Sequence, residues 1–150
     1  MNQLYAVAGA IALLVMVIFL LLQKKAPSYL PLEIMTANEQ EFFGRMSRAL
    51  GRDYYIFPQV AMSALIRPKE SYEKNKPAYW KISKKRIDYA IYNQSMTLLC
   101  LVELDDKSHN VSRDRERDSW TASAGIRTIR WQSHTRPNEQ TIRSTILNVQ

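Results

Sequence analysis

Ile87-Asp88-Tyr89-Ala90-Ile91-Tyr92, a polar break at Asn93-Gln94-Ser95, then Leu98-Leu99-Cys100-Leu101-Val102-Glu103-Leu104-Asp105: the reading of this stretch decides the fold. Two runs of β-branched and aromatic residues separated by a few polar ones predict a hairpin, with strands over 85–92 and 96–105. The second run is apolar on both faces from Leu98 to Val102, so it belongs at the centre of a sheet covered on both sides. Upstream, Tyr54-Tyr55-Ile56-Phe57-Pro58-Gln59-Val60 reads as another strand. Pro58 has no N–H to donate, so that strand is expected at an edge, or paired on one side only at that point. Before it, Thr36-Ala37-Asn38-Glu39 has the form of a capping box. Phe42, Phe43, Met46 and Leu50 follow at helical spacing and Gly51 closes the segment, so the pattern predicts a helix over 37–50.

The charged, proline-containing stretch 67–78 reads as an exposed loop. Beyond the hairpin, 113–124 has helical spacing with Gly125 at its end, 126–131 alternates as a strand, and 137–149 forms a last helix with Pro137 near its first turn. The predicted order is α-β-β-β-α-β-α, a mixed α/β sandwich over residues 36–150.

Ahead of this domain the chain is of another kind. Residues 4–22, LYAVAGAIALLVMVIFLLL, contain no charge, proline or amide side chain. As a helix the run is about 28 Å long, close to the hydrocarbon thickness of a bilayer. A buried core helix would show a polar stripe, and a cleaved signal would open with Lys or Arg and end in a small-x-small site. Neither pattern is present in 1–25, so these residues are read as a single-pass transmembrane anchor with the lipid bilayer as partner. Lys24 and Lys25 follow the apolar run, which favours a cytoplasmic location for everything after it. Residues 26–35, with Pro27 and Pro31, form a linker.

The net charge of +7 lies wholly outside the apolar run 4–22, and suits nucleic acid, anionic lipid or simple solubility. The single Cys100 excludes an intrachain disulfide. It reads as a core residue, since no four-ligand spacing for zinc accompanies it.

Three carboxylates interrupt the hairpin. Glu103 and Asp105 are two apart on one strand and share a face. Pairing the strands around a short turn brings Asp88 opposite Val102 or Glu103. Buried carboxylates require a cation or hydrogen-bonding partners. Asp88, Glu103 and Asp105 together would suit Mg²⁺ or Mn²⁺. The plainer alternative is a solvated strand end where the chain turns.

The string Val102-Glu103-Leu104-Asp105-Asp106-Lys107-Ser108-His109 resembles the VELDxxxH signature of a bacterial family of unknown function. That family is placed in the restriction-endonuclease-like PD-(D/E)xK nuclease superfamily and is similar to the very-short-patch repair endonucleases. Further elements stand in the family's order: Asn38-Glu39-Gln40, Phe57-Pro58-Gln59-Val60, Lys85-Arg86-Ile87-Asp88-Tyr89, Arg117-Asp118, and Ala124-Gly125-Ile126 leading to Arg130. The resemblance covers about residues 36–131.

It implies a restriction-endonuclease-like fold, Asp88 and Glu103 as metal ligands, and Glu39 as an accessory group on the first helix. Asp105 occupies the position of the superfamily's lysine, and His109 that of the signature's histidine. The departures are Ile87, where a proline would precede the aspartate, and the missing lysine, for which Lys107 is the nearest substitute. His109 is expected as a general base or an extra ligand.

Lys84, Lys85 and Arg86, with Arg113 and Arg117, are the expected contacts to a nucleic-acid backbone. Intrahelical pairing with Asp114, Glu116 and Asp118 explains part of the arginine pattern. Trp80, Trp120 and Trp131 read as core or half-buried. The leading expectation is a nuclease-like domain at the bacterial inner membrane, dependent on Mg²⁺ or Mn²⁺ and acting on DNA or RNA. The alternative keeps the fold without turnover, as an inactive module that binds nucleic acid or a protein partner.

Overall fold

The computed structural model describes residues 2–22, 26–105, 111–135 and 137–148, and divides into two compact units, Met1–Leu32 and Glu33–Gln150. The first unit is dominated by helix α1, Asn2–Leu22. Its residues 2–20 are exposed throughout, including Leu4, Ile11, Leu14 and Phe19. By length and composition this helix can cross a membrane.

The second unit holds the elements α2 (Ala37–Leu50), β1 (Tyr54–Ala61), α3 (Lys76–Ser83), β2 (Arg86–Asn93), β3 (Leu98–Asp105), α4 (Val111–Ser123), β4 (Thr128–Gln132) and α5 (Glu139–Leu147). The four strands form one sheet in the order β1-β2-β3-β4. The first two pairings are antiparallel and the last, β3 with β4, is parallel. The mixed α/β architecture expected from the sequence is therefore present.

Local chemistry explains most boundaries. Thr36 Oγ1 accepts the Glu39 N–H at 3.3 Å while the Thr36 N–H donates to Glu39 Oε2 at 2.6 Å, so the capping box opens α2 as expected. Gly51, at φ 66°, closes it. The hairpin turn is held by Asn93, whose backbone carbonyl accepts the Met96 N–H and whose side-chain oxygen accepts the Thr97 N–H. β1 is an edge strand, as expected from Pro58. Within it Gln59 adopts φ 53° and is passed over between the pairs Pro58–Tyr89 and Val60–Ile87.

The helices bury both faces of the sheet. On one side Phe42, Met46, Ala49 and Leu50 of α2 join Ile142 and Ile146 of α5 over Tyr89, Ile91, Cys100, Val102 and Leu104. On the other, Met62 and Ile82 cover Ile87, Ala90 and Leu101, with Trp120 of α4 packed against them. β3 is thus central and covered on both sides, and Cys100 is a fully buried core thiol.

Two expectations need correction. The stretch read as a loop contains the start of α3, whose N-cap Asn75 accepts the Ala78 N–H and whose Pro77 sits in the first turn. Only Ile82 of its eight residues is buried, so no apolar period marks it. Trp120 and Trp131 are half-buried, but Trp80 is 58% exposed.

Candidate functional site

The carboxylates of the hairpin lie at one end of the sheet. The pair Tyr89–Val102 sets the register, which makes Asp88 and Glu103 neighbours across β2 and β3. Asp88 Oδ2 accepts the Leu104 N–H at 2.8 Å. Glu103 and Asp105 are buried, at 2% and 7% exposure, on a strand otherwise lined with apolar side chains.

Arginines from elements distant in sequence meet them. Arg117 of α4 reaches Glu103 Oε2 at 3.2 Å. Arg130 of β4, paired with Glu103 on the ladder, donates to Asp105 Oδ1 at 2.7 Å and turns its remaining nitrogens to Asp118 at 2.6 and 3.0 Å. From the start of α2, Glu39 Oε1 accepts Gln59 Nε2 at 2.9 Å, and the Glu39 carbonyl accepts the Tyr89 hydroxyl at 2.7 Å.

Carboxylates outnumber guanidiniums here. Burial, followed by the charge of Asp88, pushes the Glu103 carboxyl up to about 8 against the pull of Arg117 and Arg130. Asp88 is also raised, chiefly by burial and further by Glu39 and Asp105, while the Leu104 N–H and Arg117 oppose the rise. Glu103 Oε1 is buried and accepts no hydrogen bond among the described residues. A buried carboxylate oxygen left in that state costs free energy on the order of 1–3 kcal/mol.

Divalent magnesium or manganese would take oxygen ligands. Glu103, with its uncommitted oxygen, and its neighbour Asp88 fit such an ion. Asp105 fits less well, because Arg130 holds its carboxylate. Among the described residues no three His, Cys, Asp or Glu side chains form a ready metal cage.

The structure therefore brings Asp88, Glu103 and Asp105 to one end of the sheet without closing them around a common centre. Glu39 faces Gln59 and its own cap, and its charge is felt by Asp88. Arg117, expected at a phosphate, is turned towards Glu103. Lys84 and Arg86 are exposed and Lys85 is half-buried. Lys107, His109 and the side chain of Arg113 lie outside the described residues.

Three participants were not assigned to the site from the sequence: Arg130, Asp118 and Gln59. Arg130 had a visible signal, a charge set between Ile129 and Trp131 in a strand, where a guanidinium requires an acidic partner.

No curated protein and no solved structure matches the chain. The model of a family described as a protein of unknown function, DUF2726, matches residues 32–149, which takes in the whole sheet and every residue of the carboxylate cluster; the chain belongs to the DUF2726 family.

Proposed function

We propose that this domain is a membrane-anchored, divalent-cation-dependent phosphodiesterase acting on nucleic acid, and that it belongs to the PD-(D/E)xK nuclease superfamily its sequence resembles. The observation that carries the reading is the pairing of half-buried Asp88 with buried Glu103, whose Oε1 has no hydrogen bond among the described residues. Asp88 and Glu103 would hold the ion, with Glu39 adding negative charge at the rim. When bound, Mg²⁺ or Mn²⁺ would polarise a phosphoryl oxygen and lower the pKa of a bound water.

The chain's own groups do the rest. Arg130 holds Asp105 and Asp118 in place, and Arg117 carries positive charge beside Glu103, where a phosphate oxygen would approach. Helix α1 would hold the domain at the bacterial inner membrane, with the basic segment after it and the domain on the cytoplasmic side.

A second reading is favoured by one observation. Glu103 and Asp105 already have arginine partners, and Asp105 stands where the superfamily has its lysine. In that reading the domain binds nucleic acid or a protein without cleaving it.

The deciding experiment incubates the full chain, in detergent, with labelled single- and double-stranded DNA and RNA in Mn²⁺, beside Asp88→Asn. Cleavage lost in the variant supports the enzyme; no cleavage of any substrate leaves the binding module.

A further inference from the structure

The charge of the soluble unit is concentrated in one segment. Residues 67–86 contain eight Lys and Arg against two Glu, a net of +6, while the rest of the unit carries a net of −1. The same segment presents aromatic surface. Trp80 and Tyr72 are 58% and 44% exposed, Trp80 Nε1 donates to the Tyr72 hydroxyl at 3.3 Å, Tyr79 packs edge-on to Tyr72, and Lys76 Nζ lies 5.5 Å from the Tyr72 ring centre.

This segment also forms one wall of a cavity of about 560 Å³. Arg67, Lys69 and Lys81 line it together with Ile66, Ile82 and, from α4, Trp120. Glu70 is a contrary charge at the cavity. Lys81 Nζ meets Glu116 Oε1 at 3.1 Å, which ties α3 to α4 beside it. That volume is in the range of small-ligand pockets, about 300–1,000 Å³.

Its position matters as much as its lining. Trp120 follows Arg117 by three residues on α4, so the cavity begins about one helical turn, roughly 5 Å along the axis, from the arginine that touches Glu103.

We propose that this cleft is the binding track for a single-stranded nucleic acid. Phosphates lie along Arg67, Lys69 and the exposed lysines of α3, an unpaired base enters between α3 and Trp120, and the strand continues towards the carboxylate end of the sheet. Cations alone would serve any polyanion. The concavity and the aromatic surface select for a strand whose base faces are uncovered, since those faces are occupied by stacking in a duplex. The direction of the strand rests on the nuclease reading above; the binding itself does not.

The test uses the full chain in nanodiscs of zwitterionic lipid, with EDTA present to prevent cleavage, and a labelled oligothymidylate followed by fluorescence anisotropy. Arg67→Ala/Lys69→Ala is compared with Arg48→Ala/Arg52→Ala, which removes the same charge from a region outside the cleft.

The cleft variant is expected to bind about tenfold more weakly than the wild type while the other stays close to it, and a duplex of the same length is expected to bind about tenfold more weakly than the single strand. Equal losses in the two variants, or equal affinity for duplex, would overturn the proposal. So would absence of oligonucleotide binding together with Arg67- and Lys69-dependent binding to phosphatidylserine vesicles. Cleft-dependent binding without any hydrolysis in Mn²⁺ would retain the track and remove the nuclease.

Discussion

β3 carries two regions of equal burial and opposite chemistry. Cys100, Leu101 and Val102 are fully buried between two helical layers, and their burial is itself favourable. Glu103 and Asp105, only one to three residues further on, are nearly as buried and depend on Arg117 and Arg130. The first region needs only bulk and shape. The second requires particular partners from α4 and β4, and among the described residues still leaves one carboxylate oxygen without a hydrogen bond. Holding such a cluster in a core is costly, and an apolar strand end would serve stability better. Its presence is the structural reason for assigning function to this end of the sheet.

The largest effect expected from breaking this contrast comes from Arg130→Ala. It leaves buried Asp105 without its guanidinium and releases Asp118, at a cost of about 3–5 kcal/mol. Leu101→Ala, in the apolar region, should cost about 3 kcal/mol through lost contacts and a cavity. Denaturant melts of both variants check the order: the loss in Arg130→Ala should exceed that in Leu101→Ala.

Glu103→Gln sharpens the comparison. In the folded protein Glu103 sits at about 8 against 4.5 for its ordinary value, so it holds a proton that the unfolded chain gives up. That protonated form contributes stability which is complete below pH 4.5 and is lost as pH rises through 8. In EDTA, Glu103→Gln should therefore gain on the wild type between pH 5 and 9 by about 2 kcal/mol or more. A difference independent of pH would mean that Glu103 is ionised throughout.

The smallest effect is expected at the edge of the cluster. Tyr89→Phe removes the hydroxyl that donates to the Glu39 carbonyl, and thermal melts should show a loss of about 1 kcal/mol.

How much of this could be read in the sequence follows from the range of the interactions involved. The capping box at Thr36 and Glu39, the edge position of β1 through Pro58, and the neighbouring of Asp88 and Glu103 are all local or hairpin features, and each was legible. Helix α3 was not, because it is one short element with a single buried residue. The partners of the carboxylates were hidden for another reason. Arg130 reaches Asp105 only because β4 returns parallel to β3 after a helical crossover, and no residue within the hairpin carries that information. The sequence thus presented Asp105 as an equal member of a carboxylate trio, where the structure commits it to Arg130.

The most direct test of the central claim, that Asp88 and Glu103 form a divalent-cation site, is calorimetric titration of Mn²⁺ into the full chain in detergent, beside Asp88→Ala/Glu103→Ala. Saturable binding by the wild type, absent from a folded double variant, is the predicted result. Wild type and variant giving the same heats, with both folded, would contradict it.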